Sequence, residues 1–133
     1  MIRGIIIGHG DFAQAMMNTA KQIVGEQDQV DIISNTGQSC SGLVQIIERS
    51  LNAEPKSEII IFLDLPGGSC TISCYNLLRK QPDLNIICGL NLPMLIEFFM
   101  LRDKYAAYDL VSILIKKAHD NIFKLGRKNG TEN

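Results

Sequence analysis

Four short apolar runs, at residues 2–7, 30–33, 59–63 and 84–88, constrain this chain more than any other feature. Each is mostly β-branched and lacks the regular polar alternation of a strand with one face in water. Such runs are expected for strands buried on both faces of a parallel sheet. A parallel sheet in turn needs crossover connections long enough to return the chain to the same end, and helices do this. The intervening segments have the right period. Phe12, Met16, Ala20, Ile23 and Val24 mark the apolar face of a first helix, stopped by Gly25. Leu43, Val44, Ile47 and Leu51 mark a second, ended before "AEPKS", and Ile72, Tyr75 and Leu78 mark a third, ended before Pro82. Beyond Pro93 the pattern is helical, with a break near "YAAYD" and a final helix from about Asp109. The expectation is an α/β fold: a single-domain open sheet of four parallel strands with helices on both faces.

At 133 residues the chain suits one domain with a real core. With 13 basic and 14 acidic side chains the net charge is −1, so no electrostatic footprint for nucleic acid or an anionic membrane is present. No apolar stretch approaches the ~20 residues of a bilayer span, and "MIRGIIIGHG" is not a signal peptide, which together suggest a cytoplasmic protein. Cys40, Cys70, Cys74 and Cys88 lack zinc-ribbon spacing and read as small, buried hydrophobes.

In an open α/β sheet the working site lies beyond the carboxyl ends of the strands. Those ends deliver His9 after the first strand and Asn35, Thr36 and Gly37 after the second. The third delivers Asp64 with "LPGGS", and the fourth leads into Asn91 and Pro93. The segment "GHGDFA" invites two readings. Gly8, Gly10 and Ala13 fit the G-x-G-x-x-A dinucleotide fingerprint. That reading requires an acidic residue at the end of the second strand, where Ser34 and Asn35 stand, and Asp31 sits near the strand's start. The alternative is a glycine-flanked imidazole presented for chemistry. Gly8 and Gly10 leave His9 open to approach, and the helix starting near Asp11 favours an anion beside it. Asp64 on the neighbouring strand end can fix the ring's tautomer and leave the other nitrogen as nucleophile. Backbone N–H groups and hydroxyls from Gly67, Gly68 and Ser69, with Gly10, Asn35 and Thr36, can hold phosphoryl oxygens. This constellation suits reversible phosphorylation of a histidine and needs no metal or cofactor. A capping role for Asp64 is compatible with it, and His119, in the basic helix end "KKAHDNIFK", needs no role beyond compensating the helix dipole.

Three motifs in order, "IIIGHGDFA", "FLDLPGGS" and "GLNLPML", resemble the mannose-family IIA domain of the bacterial sugar phosphotransferase system across nearly the whole chain. The resemblance implies that His9 accepts phosphate from the phosphocarrier protein HPr, with Asp64 orienting the ring and Ser69 contacting the phosphoryl group. It also implies donation to a IIB domain, which phosphorylates sugar entering through a membrane IIC–IID pair. The sequence departs from the family's pattern around the paired glycines, where Pro66 precedes them and "CTIS" replaces a Pro–Phe pair after the serine. Family members are typically homodimers that exchange a short antiparallel C-terminal strand. "NIFKL", residues 121–125, is the segment that would supply it, although periodicity alone makes it helical. The apolar residues Phe98, Phe99, Ile113, Leu114 and Ile122 suggest a face for that dimer. On this reading residues 1–126 are the carrier domain and 127–133 a polar tail. Two other readings fit the same fold: the phosphoryl-donor subunit of a dihydroxyacetone kinase, and a regulatory or ligand-binding module without turnover.

Overall fold

The computed structural model describes residues 1–126. Four strands form one sheet: β1 (Arg3–Gly8), β2 (Val30–Ser34), β3 (Ile59–Leu63) and β4 (Asn85–Cys88). They lie in the order β2-β1-β3-β4, and every pairing is parallel. Five helices connect or succeed them: α1 (Phe12–Val24), α2 (Cys40–Ala53), α3 (Gly68–Lys80), α4 (Leu92–Leu101) and α5 (Ala107–Asp120). The expected open sheet with helices on both faces is the one observed. The tail at 127–133 lies outside the described residues.

The two-residue period of the strands divides their side chains between two cores. Ile6, Ile60, Phe62 and Ile87 face a layer built from α1, α4 and α5, while Ile5, Ile7, Ile33, Ile61 and Leu63 face α2 and α3. Each of these strand residues is buried, so a continuous apolar run is what both faces require. On the first face Phe98 of α4 stands edge-on to Phe62, with ring centroids 5.0 Å apart. The ring fits because position 4 of β1 is glycine: a Cβ there would lie 3.0 Å from Phe98 Cε2 and 3.2 Å from Cζ. The buried guanidinium of Arg102 covers the Phe98 ring at 5.6 Å and holds Gln27 at 3.0 Å, so the ring has little room to retreat.

Four expectations drawn from the sequence need correction. In α1 the buried residues are Ala13, Met17 and Ala20, with Phe12, Met16 and Val24 at the margin and Ile23 exposed. In α3 the buried face is Cys70, Ser73, Cys74 and Leu77, whereas Ile72 and Tyr75 point outward. Small residues pack closest to the sheet, and counting only large apolar ones rotates the apparent face. Phe98, Phe99 and Leu114 are buried within the chain, so they offer no surface to a second copy. Residues 122–125 form neither helix nor strand here, and Ile122, Phe123 and Leu125 are exposed.

Gly4→Ala is expected to destabilise the fold by about 1–3 kcal/mol through overpacking. Phe98→Leu in the same chain should recover part of that loss, because it removes the ring the new methyl meets. Urea denaturation of the two single variants and the double variant checks this. Strictly additive losses would mean that Gly4 is not there to accommodate Phe98.

Candidate functional site

The order of the strands creates the site. From β1 the chain leaves toward β2 on one side, and from β3 it leaves toward β4 on the other, so the loops after β1 and β3 diverge. A crevice opens at such a switch point, beyond the carboxyl ends of two adjacent strands. Ile7 of β1 is level with Leu63 of β3, and the Asp64 N–H continues the ladder to the Ile7 carbonyl at 3.3 Å. The next residues, His9 and Asp64, therefore emerge side by side.

Asp64 receives three hydrogen bonds. The His9 backbone N–H donates to Oδ2 at 2.8 Å, the His9 ring meets the same oxygen through Nδ1 at 2.8 Å, and the Leu65 N–H donates to Oδ1 at 2.9 Å. Its side chain is 5% exposed, whereas that of His9 is 42% exposed. Burial alone would push the carboxyl pKa up. The bonds from the His9 N–H, the His9 ring and the Leu65 N–H outweigh burial and hold it below the ordinary carboxylate value. An ionised carboxylate has no proton to give, so Nδ1 is the donor in the shared bond. A neutral imidazole with its proton on Nδ1 carries its free electron pair on Nε2.

Glycine controls what surrounds that ring. Gly68 faces it: a Cβ at this position would lie 3.3 Å from Nε2 and 3.6 Å from Cε1, and φ of +74° disfavours any side chain there. Gly8 is required for closeness, since a Cβ would meet Phe12 at 3.2 Å and Asp64 Oδ2 at 3.4 Å. The openness expected of both flanking glycines belongs to Gly10 alone, which has nothing within 4 Å of its Cβ position. Two helices begin beside the pair. α1 starts after Asp11 and α3 after Gly67, and neither first turn is closed by a side-chain cap, so both present backbone N–H groups and positive dipole ends.

The remaining residues singled out from sequence fall into a rim. Ser34 donates its hydroxyl to the Gly10 carbonyl at 2.9 Å and accepts the Thr36 N–H at 3.2 Å, so Ser34 braces the loop after β1 and ties it to Thr36. Asn35 donates to Ser69 Oγ at 3.4 Å, linking the loop after β2 to the start of α3. Gly67 donates its N–H to Thr71 Oγ1 at 2.9 Å, a brace that sequence reasoning misses. Its only signal is a hydroxyl residue four positions after the first glycine of the pair. Asp64 does not cap α3, because Gly67 holds the N-cap position. Asn91 is not brought to His9. It caps α4 by accepting the Met94 N–H at 3.0 Å. His119 is exposed in the last turn of α5. Cys70, expected from sequence to be a packing residue, is indeed fully buried, but its thiol lies with His9 and Asp64: one ligating atom from each falls within 4.8 Å of the others.

Known proteins share this outline. The family model described as the phosphotransferase system fructose IIA component matches residues 4–115. The fructose-specific EIIA component of Bacillus subtilis (strain 168) is 29% identical over 116 residues, covering 86% of this chain and 80% of its own. The mannose-specific EIIAB component of Escherichia coli (strain K12) is 29% identical over 132 residues, and this chain spans only 41% of that protein's length. Among solved structures, a phosphotransferase system EIIA component from Streptococcus agalactiae superposes with a TM-score of 0.83 at 30% identity, over 93% of this chain and 97% of its own. Among the described residues no helix is long and apolar enough to cross a membrane.

The charge on Asp64 sets a pH dependence with a definite sign. Its folded pKa lies below the ordinary value of 3.8, so its contribution to stability is fully present above that value and is lost as the pH falls through the folded one. Asp64→Asn should thus be less stable than the native chain at pH 7, with the gap narrowing as the pH is taken below the carboxylate range. Urea melts of both proteins along a pH series measure it. A gap that stays constant would mean that the charge of Asp64 contributes nothing to the fold.

Proposed function

The chain belongs to the mannose-family IIA components of the phosphotransferase system, and on that footing we propose that it carries a phosphoryl group on Nε2 of His9. The observation that carries this reading is the bond between His9 Nδ1 and Asp64, which leaves Nε2 as the free nitrogen of a ring that is 42% exposed and has only the side-chain-free Gly68 beside that atom. Nε2 attacks phosphorus, the P–N bond forms, and the bond to the donor breaks with its electron pair leaving on the donor atom. The proton stays on Nδ1, and Asp64 stabilises the positive charge that develops on the ring. The starts of α1 and α3 face the incoming phosphoryl oxygens with backbone N–H groups, and Gly10, Gly67, Gly68 and Ser69 line the approach. Asn35 and Thr36 hold the rim in place. Donation is the same sequence in reverse. In this reading the donor is HPr, the acceptor is a IIB domain that passes the group to sugar entering through a IIC–IID pair, and the transfer takes place in the cytoplasm. Residues 1–126 are the carrier domain.

We also propose that the carrier works as a homodimer in which residues 121–125 of one copy pair with the outer edge of β4 in the other. Strand β4 is the last in the sheet order, with β3 as its only partner among the described residues. An apolar cleft of about 160 Å³ runs along that edge between Leu63, Thr71, Cys74, Tyr75 and Cys88. Exposed Ile122, Phe123 and Leu125 supply apolar side chains for strand addition there. Truncation before Asn121 should convert a dimer into a monomer or prevent folding. A full-length chain that sediments as a monomer at micromolar concentration would exclude the exchange.

Phosphoenolpyruvate, enzyme I and HPr provide the test of the carrier itself. His9 should take up an acid-labile, alkali-stable label that His9→Ala abolishes and His119→Ala retains. Label surviving in His9→Ala removes the assignment. Asp64→Asn is informative because all three partners of the carboxylate are donors. With its oxygen toward His9, the amide sets its NH₂ against the Leu65 N–H. Turned over, it donates to Nδ1 and forces the proton onto Nε2, which removes the nucleophile. Transfer in rapid-quench experiments should slow by about tenfold or more, short of the ~10⁴-fold lost when a protease's His–Asp pair is changed in the same way. A folded Asp64→Asn protein that transfers at the native rate would leave Asp64 a structural residue only.

A further inference from the structure

Cys70 has no part in the phosphoryl transfer proposed for His9, yet it is the third member of the cluster around the shared His9–Asp64 bond. It stands in the first turn of α3, directly after Ser69. Its side chain is fully buried, that of Asp64 is nearly so, and the exposed flank of His9 is the way in from solvent. One nitrogen, one carboxylate oxygen and one sulfur within 4.8 Å of one another form a mixed donor set, and no other group of three or more such residues occurs among the described residues. From this we infer that His9, Asp64 and Cys70 form a zinc site, and that zinc bound there switches the phosphoryl carrier off. The inhibitory half rests on His9 being the phosphoacceptor, while the binding half does not.

The chemistry favours zinc over harder ions. Calcium and magnesium require oxygen ligands, whereas imidazole, thiolate and carboxylate together suit zinc. Metal–ligand bonds of about 2.0–2.3 Å put tetrahedral ligands roughly 3.5 Å apart, so side-chain rotations closing about an ångström bring the sulfur into range. The ion would find three protein ligands and leave a fourth position for water on the side of the exposed ring.

Binding rearranges protons in a way that stops transfer. The Cys70 thiol gives its proton to solvent and binds as thiolate. If zinc takes the Nδ1 electron pair, the ring proton must move to Nε2, and the pair that attacks phosphorus is gone. If zinc takes Nε2, that pair is occupied directly. With either nitrogen the ring stays neutral, one proton is released per ion, and no nucleophile remains.

Zinc titration of the full chain near neutral pH, by calorimetry in buffers of different ionisation enthalpy, reads both stoichiometry and proton release. One ion and one proton per chain are expected. Cys70→Ser should weaken binding by at least the ~10–100-fold that loss of a supporting group alone costs a metal site. Cys88→Ser, at an exposed thiol that is not one of the three grouped ligands, should leave it unchanged. Cobalt in place of zinc should give the native chain a thiolate-to-metal charge-transfer band, a readout that needs no variant to fold. Labelling from pre-phosphorylated HPr, measured with and without zinc for each protein, should be suppressed in the native chain and spared in Cys70→Ser. Absence of zinc binding, equal affinity in Cys70→Ser, absence of the cobalt band, or undiminished labelling at saturating zinc would each overturn the inference. A chain that binds zinc but whose His9 takes no label even in zinc-free buffer would instead count against the carrier reading, and a labelled His9 without zinc binding against the site.

Discussion

The parallel pairing of β1 with β3 is the constraint on which the rest of the molecule depends. Both strands lie in the middle of the sheet, and their side chains are buried on both faces. Such strands cannot slip in register without exchanging two sets of core residues. Setting Ile7 level with Leu63 also sets the positions of the residues just past each strand end, and the site is made of those residues. His9 and Asp64 are 55 positions apart in sequence and share two hydrogen bonds of 2.8 Å to one oxygen. No local feature of either loop specifies that contact; the ladder does. The divergence of the two connections at the switch point then keeps the crevice clear of crossing chain.

Within the crevice the electrostatics come from a simple asymmetry. Asp64 is an acceptor surrounded by donors, so its ionised state is the one the fold satisfies. The backbone N–H of His9 matters as much as the ring here. It binds the same oxygen as Nδ1, so ring and main chain move as one unit with the carboxylate. This arrangement sets the tautomer without help from solvent, although the far side of the ring is open. Gly8 is the spatial condition for it, because any side chain there would enter the space between Phe12 and Oδ2.

Much of this is legible in the sequence, for reasons that can be named. Apolar runs mark all four strands; in the central β1 and β3 they are continuous because both faces are buried, whereas the edge strands β2 and β4 are half-buried and admit Asp31 and Asn85. The strand ends then bring His9 and Asp64 to one edge. What periodicity misjudges are the helix faces that pack through small residues. Ala13, Ser73 and the buried cysteines lie against the sheet, while Ile23, Ile72 and Tyr75 are larger and lie outside. A pattern weighted by side-chain size points away from a tightly packed interface. Also hidden is the difference between glycines. Gly8, Gly10, Gly67 and Gly68 look alike in sequence, yet one permits close packing, two are open, and one faces a nitrogen. Reading the cysteines as buried hydrophobes is right for Cys70 and Cys74 but not for half-buried Cys40 or exposed Cys88, and that Cys70 also lies beside the His9–Asp64 pair only the fold reveals.

On the carrier reading proposed above, the site would have to hold a phosphoryl group firmly enough to keep it and loosely enough to release it, and it contains terms of both signs. The Asp64 carboxylate would stabilise positive charge on the ring, favouring transfer, but would repel the negative oxygens of a group on Nε2. The unclosed first turns of α1 and α3 oppose that repulsion from two directions. The geometry favours orientation as the dominant role of the carboxylate. Its bond to Nδ1 is direct and nearly buried, whereas repulsion of a group on Nε2 acts across the ring and is weakened by solvent on the exposed side. The same balance explains why a neighbouring thiol matters. A protonated Cys70 adds no charge and leaves the balance undisturbed. A cation drawn in by that thiol would reverse the sign of the local field and take the ring's electron pair together. Cys70 therefore sits where a change of charge acts directly on His9 and Asp64.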